Sequence, residues 1–116
     1  MPVPLYQAKA EFFRVLAHPV RIRVLELLCE SPRQVRDLLA DREIESIAIS
    51  ASNLSQQLAV LRRYGIVTAS RDGSSVMYAL AGSDVSDLMM AARRILTEML
   101  ADKRDLMIQL QKTHTG

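Results

Sequence analysis

Residues 50–80 read SASNLSQQLAVLRRYGIVTASRDGSSVMYAL, and this stretch decides which fold the chain adopts. Its first half carries leucines spaced by three and four residues, at Leu54, Leu58 and Leu61. This spacing predicts an amphipathic helix with one buried face. Ser50 or Ser52 is its candidate N-cap, because a serine hydroxyl accepts a hydrogen bond from a free N–H of the first turn. The helix runs to Tyr64, and Gly65 ends it because glycine adopts the left-handed conformation of a helix C-terminus.

The second half of this stretch predicts a β-hairpin. Residues 66–71 are the first candidate strand, and residues 75–80 are the return strand, with Val76, Tyr78 and Leu80 on one face. Asp72-Gly73 is the candidate turn, because both central residues of a tight hairpin turn favour positive φ.

Upstream of this stretch, three further helices are predicted. The first, from Leu5 to Leu16, ends at His18-Pro19, because the residue before a proline is pushed out of the α region. The second covers residues 19–29 and is apolar on two sides, which is typical of a central, buried helix. Ser31-Pro32 indicates the cap and first residue of a short third helix over residues 33–40. Residues 41–49 are predicted to form an acidic loop.

Downstream, Gly82-Ser83 opens a long final helix with apolar residues at every third or fourth position. The predicted order is therefore four helices, a β-hairpin and a fifth helix. This is a mainly α fold with a small β-hairpin, a winged helix-turn-helix. We expect one domain over residues 1–116, made of a flexible tail, two dimerisation helices, a helix-turn-helix and a wing. These parts correspond to residues 1–4, 5–17 and 83–112, 33–64, and 66–80.

The composition supports one globular domain and argues against several other classes of protein. The chain has 116 residues, of which 49% are hydrophobic and 24% charged, close to the average for globular proteins. It has one Cys, so an intramolecular disulfide framework is excluded. No apolar run reaches membrane-spanning length, and the charges of Lys9, Glu11 and Arg14 rule out the core of a signal peptide. We therefore expect a cytoplasmic protein without a membrane partner.

The positive charge is concentrated in the middle of the chain. Residues 14–36 carry five Arg against two Glu, whereas residues 37–49 are acidic. Without Trp, and with only three Tyr and two Phe, a single-strand binder that stacks bases is disfavoured. The alternative to a nucleic-acid partner is an ordinary solvated charged surface.

The polar face of the predicted helix at residues 50–64 suits the major groove of DNA. The side opposite its leucines carries Ser52, Gln56 and Arg63, with Ser55 and Arg62 on one shoulder and Asn53 on the other. This face has no Lys or Glu. Gln makes a bidentate contact to adenine, Ser contacts several bases, and Arg reaches guanine or phosphate. We therefore predict that these residues bind DNA, against the alternative of a solvated helix face.

Four further positions are candidates for DNA contact. Gln57 leans toward the leucine side, and its contact with DNA stays open. Arg71 lies beside the hairpin tip, from which a side chain reaches phosphates or the minor groove, whereas Gly73 serves the turn. Arg33 and Gln34 begin the predicted third helix and would meet phosphates there, with a plain surface position as the alternative.

Three motifs resemble the ArsR-type (ArsR/SmtB) family of transcriptional repressors. Residues 12–28 (FFRVLAHPVRIRVLELL) are similar to the family's opening helices, and residues 55–67 (SQQLAVLRRYGIV) to its recognition helix and exit. The run RDG at residues 71–73, followed by VMY at residues 76–78, is similar to its wing. The resemblance covers nearly the whole chain. It implies a sequence-specific regulator of transcription, most simply a repressor, whose partner is double-stranded operator DNA.

The sequence departs from the metal-sensing members of that family. They carry a Cys-x-Cys motif on the third helix, where this chain has no Cys at residues 34–38. Other members use Asp, His and Glu on the last helix, where the only histidine here is His114. We predict no metal site and no cofactor, and the effector is unknown. Cys29 is a candidate redox sensor, with the alternative that a lone cysteine on a buried helix acts as a small hydrophobe.

The first and last helices carry more apolar surface than one winged helix covers, which predicts a homodimer. The alternative is packing within the chain against the second helix, which is too short to cover both apolar rows of the last helix. The candidate dimerisation residues are Leu5, Phe12, Leu16, Leu88, Ala92, Ile95, Leu96 and Met99. Two-fold symmetry then predicts a palindromic operator with half-sites about one helical turn apart.

The sequence contains no motif of a catalytic site, neither a phosphate-binding glycine loop nor a helical His-Glu-x-x-His. We therefore expect no enzymatic activity. Two alternatives stay open: a winged helix that binds another protein instead of DNA, and an enzyme subunit or metallochaperone.

Overall fold

Six helices and two antiparallel strands make up the part of the chain that the computed structural model describes, residues 2–114, with side chains for residues 2–111. In chain order they are α1 (Leu5–Leu16), α2 (Pro19–Glu30), α3 (Val35–Leu39), α4 (Arg42–Ile47), α5 (Ala51–Arg63), β1 (Val67–Asp72), β2 (Ser75–Leu80) and α6 (Ser83–His114). A first compact unit extends to Ser86, and α6 from Asp87 onward forms a second. None of the described helices combines the length and apolar character that crossing a membrane requires.

The break between α1 and α2 lies at His18-Pro19, as the sequence predicts. His18 is extended, and its Nδ1 accepts a hydrogen bond from the backbone N–H of Val20 at 3.2 Å. Pro19 occupies the first position of α2, where the missing N–H has no helical partner to lose. The histidine side chain therefore acts as the N-cap of α2.

The core of the first unit is built around α2 and α5. On α2 both apolar sides are covered, since Val24 and Leu25 are completely buried and Ile22 and Cys29 are half-buried. The sequence predicts this central position of α2. Helix α2 also buries Val20, Leu27 and Leu28, and the end of α1 buries Val15 and Leu16. The other buried apolar side chains come from α3, α4, α5 and the start of the hairpin: Leu38, Ile44, Leu54, Leu58, Leu61, Ile66 and Val67.

The predicted start of the third helix is wrong. Ser31 is the C-terminal flanking residue of α2, and α3 begins only at Val35. Arg33 is held in an extended conformation because its backbone N–H and C=O both pair with Tyr78 of β2, at 2.9 and 2.8 Å. The cap is instead Gln34, in a capping box with Asp37.

The predicted acidic loop at residues 41–49 contains an additional helix, α4. The described residues therefore form six helices, and the predicted number of five is also wrong. Asp41 caps α4 by accepting a hydrogen bond from the N–H of Ile44 at 3.2 Å, and Ile44 is buried. Ala48 ends the helix in the left-handed conformation, with φ of 58°. One cap and one buried side chain thus fix this short helix between α3 and α5.

Arg23 of α2 holds the start of α4 through a bidentate ion pair. Its Nε and Nη2 each donate to a carboxylate oxygen of Asp41 at 2.9 Å, and Glu26 accepts a third, longer hydrogen bond of 3.4 Å. The Arg23 hydrogen bond holds the pKa of Asp41 below its ordinary value of 3.8. The Asp41 carboxylate therefore caps α4 and at the same time forms an ion pair with Arg23 of α2.

The hairpin turn is shifted by one residue from its predicted place. Asp72 pairs with Ser75 as the last residue of β1, so the loop consists of Gly73 and Ser74. Gly73 has φ of 66°, as the first central position of a type II′ turn requires, and Asp72 has no positive φ. The wing is thus a tight two-residue hairpin.

We predict that Asp41→Ala destabilises the fold by about 1 kcal/mol more than Asp41→Asn, because asparagine still caps a helix and alanine does not. The Arg23 pair stabilises the native state fully above the ordinary pKa of 3.8 and loses its effect as pH falls through the lower folded value. As pH falls below about 4, the free energy of unfolding of both variants should therefore decrease less than that of the wild type. Chemical denaturation at a series of pH values measures both effects.

Asp87→Asn, at an exposed position of α6, is the matched control and should follow the wild-type acid profile. Equal stability of the alanine and asparagine variants would contradict the capping role of Asp41.

Candidate nucleic-acid interface

Helix α5 is fixed at both ends and along one buried face. Ser50, the first of the two candidate caps, accepts a hydrogen bond from the N–H of Asn53 at 3.0 Å. Gly65, with φ of 73°, ends the helix as the sequence predicts. The predicted leucine stripe is completely buried, at Leu54, Leu58 and Leu61. Because α5 packs on α2, α3 and β1 through this stripe, its opposite face is turned to solvent.

The exposed face of α5, here called the α5 face, carries six of the predicted DNA-binding residues. They are Ser52, Asn53, Ser55, Gln56, Arg62 and Arg63, and all six are exposed. Within the described part of the chain, no side chain on the α5 face except Asn53 forms a hydrogen bond or ion pair. The helix contains no acidic residue, and its two arginines lie in the last turn. The α5 face is therefore positively charged, and its donors and acceptors are available to a partner.

Gln57 lies apart from the α5 face. Its side chain is half-buried, and its Oε1 accepts a hydrogen bond from Nε of Arg21 on α2 at 2.8 Å. Its Nε2 donates to Oδ1 of Asn53, one turn earlier on α5, at 3.1 Å. Both halves of the Gln57 amide are thus engaged within the chain, in keeping with the inward lean that the sequence indicates.

The wing presents Arg71 next to its tip. Arg71 lies opposite Val76 in the strand register and is exposed, without an intrachain ion pair among the described residues. A Cβ at Gly73 would meet no atom within 4 Å, so the positive φ of the turn, and not lack of space, requires glycine there. Gly73 thus shapes the tip, and Arg71 is the basic side chain beside it, next to the exposed acidic Asp72.

Arg33 and Gln34 have structural roles that the sequence does not reveal. Arg33 is half-buried, its Nη2 donates to Glu30 at 2.7 Å, and its backbone pairs with β2. Gln34 caps α3, which has only five residues. Their predicted contact with phosphate at the start of a longer helix therefore loses its structural basis.

Arg21 is the residue near this interface that sequence reasoning misses. Besides Gln57, it reaches the carbonyl of Val15 near the end of α1, to which its Nη1 donates at 2.9 Å. Arg21 and Gln57 are 36 residues apart in the chain, so no local pattern connects them.

The described residues contain no group of three or more His, Cys, Asp or Glu side chains arranged to hold a metal ion. Cys29 is a free thiol, half-buried on α2. The side chain of His114 lies outside the described residues.

Comparison with known proteins identifies a group of relatives. A family model described as bacterial regulatory protein, arsR family, matches residues 18–69. Rv0081, an HTH-type transcriptional regulator of Mycobacterium tuberculosis, is 50% identical over 100 residues, which are 86% of this chain and 84% of Rv0081. The crystal structure of Rv0081 matches with a TM-score of 0.77 and 49% identity, over 88% of this chain and 98% of that structure.

Two further relatives carry more specific descriptions. The M. tuberculosis HTH-type transcriptional repressor SmtB is 33% identical over 91 residues, covering 78% of this chain and 64% of SmtB. Mb0332 of Mycobacterium bovis, described as a homodimeric winged helix-turn-helix DNA-binding domain, matches with a TM-score of 0.69 and 27% identity. That match covers 83% of this chain and 84% of the Mb0332 domain.

We predict that the purified protein retains well below one transition-metal ion per chain after dialysis. A tetrahedral zinc site needs several ligands, and Cys29 alone cannot supply them within one chain. Elemental analysis by mass spectrometry measures the metal content, and Cys29→Ser is the matched control. Stoichiometric zinc that the Cys29→Ser variant loses would contradict this prediction.

Proposed function

The chain belongs to the ArsR family of bacterial regulatory proteins and is a DNA-binding transcriptional regulator, and we propose that it acts as a homodimeric repressor of a palindromic operator. The observation that carries this proposal is the α5 face, which is exposed and polar and has a completely buried leucine stripe behind it.

The α5 face has the dimensions and chemistry of a recognition surface. A helix of 13 residues is about 20 Å long, and the major groove of B-DNA admits an α-helix. Ser52 and Gln56 lie one turn apart, so they would meet neighbouring base edges. Arg62 and Arg63, at the end of the helix, would contact guanine or phosphate. We assign base readout to the start and middle of α5.

Arg71 supports a different kind of contact. The tip of a two-residue hairpin is narrow enough to approach the DNA backbone or the minor groove, and phosphate contacts carry no direct sequence information. We therefore assign to Arg71 a share of the affinity for any duplex.

The homodimer is supported by apolar side chains that the chain leaves in solvent. On α6, Ile95, Leu96 and Met99 are 58%, 56% and 51% exposed. On α1, Leu5 is 69% exposed, and Phe13, which is not among the predicted dimerisation residues, is 53% exposed. Soluble proteins seldom leave such apolar surface uncovered, and Mb0332 is described as homodimeric. We propose that a second copy covers both helices.

One of the predicted dimerisation residues does not fit this role. Leu16 is only 3% exposed and belongs to the core of the chain, so it offers no surface to a partner. Phe12, Leu88 and Ala92 are half-buried and remain proposed members of the interface.

The alternative function is a winged helix that binds another protein through the α5 face. No relative described above carries such a function in its description, whereas Mb0332 is described as DNA-binding. The DNA titrations below separate the two functions, because a protein-binding module would show no preference for the operator over a scrambled duplex.

We predict that Gln56→Ala relaxes sequence discrimination and that Arg71→Ala weakens binding to all DNA. Losing one base contact should cost about 1–3 kcal/mol at the matching base pair and little on random DNA. Losing one phosphate contact per wing should lower the salt slope by about 2 per dimer. Fluorescence anisotropy on operator and scrambled duplexes, at several salt concentrations, measures both quantities.

Arg94→Ala is the control for Arg71→Ala, since it removes the same charge from an exposed position on α6. The division of roles is wrong if Gln56→Ala weakens both duplexes equally, or if Arg71→Ala leaves the salt slope unchanged. If neither variant alters binding, the recognition surface lies elsewhere and the protein-binding alternative is favoured.

We predict that Ile95→Asp or Leu96→Asp converts the protein to a monomer. A carboxylate buried without a partner in the interface costs several kcal/mol. Light scattering at micromolar concentration measures the mass, and Thr97→Asp, at an exposed position of the same helix turn, should remain dimeric. A wild-type chain that is monomeric under these conditions would refute the homodimer.

A further inference from the structure

Arg21 connects three elements of the first unit through one guanidinium group. Its backbone belongs to α2, its Nη1 donates to the carbonyl of Val15 in α1 at 2.9 Å, and its Nε donates to Oε1 of Gln57 in α5 at 2.8 Å. The Val15 carbonyl lies in the last turn of α1, where carbonyl groups lack helical partners. Arg21 is therefore oriented by the end of α1 while it holds a side chain of α5.

The guanidinium group determines which way the amide of Gln57 faces. Arginine has five N–H donors and no acceptor, so only the oxygen of Gln57 can face it. The nitrogen of Gln57 must then point the other way, where it donates to Oδ1 of Asn53 at 3.1 Å. The direction of donation is fixed along the whole chain from Arg21 to Gln57 to Asn53.

Asn53, unlike Gln57, is exposed on the α5 face. Its oxygen already accepts the Gln57 hydrogen bond, whereas its Nδ2 has no hydrogen-bond partner among the described residues. The outward group of Asn53 is thus an N–H donor. Guanine presents two acceptors in the major groove, N7 and O6, whereas the bidentate contact of asparagine with adenine also needs the amide oxygen.

We propose that Arg21 is a positioning residue for DNA recognition, which sets the amides of Gln57 and Asn53 so that Asn53 donates to an acceptor edge of guanine in the operator. This inference rests on the proposed function of the α5 face. Arg21 itself touches no DNA and acts through Gln57.

Gln57→Glu is the decisive variant, because it keeps the hydrogen bond from Arg21 and reverses the direction of the hydrogen bond between positions 57 and 53. A carboxylate at position 57 accepts from Arg21 in a charge-assisted hydrogen bond, so α5 stays anchored. It has no donor for Asn53, whose amide must turn over to donate Nδ2 to the carboxylate. Asn53 then presents its oxygen outward and should favour base edges that donate, such as N4 of cytosine or N6 of adenine.

The experiment starts from a randomised duplex library, from which the wild-type dimer selects its preferred sequence. Anisotropy titrations then compare the selected duplex with all its single-base-pair variants, each relative to a scrambled duplex. This ratio removes the uniform effect of a changed net charge. The proteins compared are wild type, Asn53→Ala, Arg21→Ala, the double variant that combines these two substitutions, Gln57→Glu and the charge control Arg94→Ala.

We expect Asn53→Ala to lose about tenfold discrimination at one G·C pair per half-site. Arg21→Ala should lose discrimination at that same pair and little elsewhere, and the double variant should lose no more than either single variant. Gln57→Glu should reverse the preference at that pair, and Arg94→Ala should keep the wild-type profile. Thermal denaturation of each variant separates these effects from a loss of stability.

The inference is overturned if Gln57→Glu keeps the wild-type preference at the pair that Asn53→Ala identifies. It is also overturned if Arg21→Ala lowers stability or overall affinity while the base preferences stay unchanged. A wild-type protein that enriches no duplex sequence refutes the proposed function itself, and this inference with it.

Discussion

The complete burial of the leucine stripe on α5 is the constraint on which the rest of the structure depends. Leu54, Leu58 and Leu61 have no exposed surface, so α5 cannot rotate about its axis without opening the core. Burying three leucine side chains contributes roughly 1.5–3 kcal/mol each relative to solvent exposure. Because the stripe fixes the rotation of the helix, it also fixes which side chains form the α5 face. The polar surface is thus determined by the apolar one behind it.

Helix α2 supplies the polar connections that complete this arrangement. Its two arginines, Arg21 and Arg23, are two positions apart and therefore point to nearly opposite sides of the helix. Arg23 holds α4 through Asp41, and Arg21 holds α5 through Gln57 while it meets the end of α1. Helix α2 thus places α1, α4 and α5 around one buried core. Each contact is charge-assisted, which makes it more directional than apolar packing.

The exposed surface of the described residues includes two chemically different kinds of patch. Apolar side chains of α1 and of the middle of α6 remain exposed, whereas the α5 face and the wing expose polar and basic groups. An apolar surface favours a protein partner with a complementary apolar surface, and a basic polar surface favours a polyanion. The described residues thus carry two kinds of surface, which suit the two partners that we propose, a second copy of the chain and DNA.

The sequence by itself determined the features that depend on local chemistry. The leucine spacing, the helix break at His18-Pro19 and the end of α5 at Gly65 follow from side-chain period and backbone preference, and the structure confirms them. The local sequence did not determine the strand register. The turn lies one residue later than predicted, so Asp72 belongs to β1 and the turn consists of Gly73 and Ser74. Pairing along both strands decides the register, and local propensity does not.

Only the tertiary structure decided the features that join distant residues. Arg33 looked like the start of a helix until Tyr78 took both of its backbone hydrogen bonds. Residues 41–49 looked like a loop because a helix of six residues has too little periodicity to show, and its stability comes from Arg23 and the buried Ile44. Leu16 looked available for a partner until the core covered it. The orientation of the Asn53 amide depends on Arg21 through the hydrogen bonds that join Arg21 to Gln57 and Gln57 to Asn53. Sequence spacing does not show this dependence, because Arg21 and Gln57 are 36 residues apart.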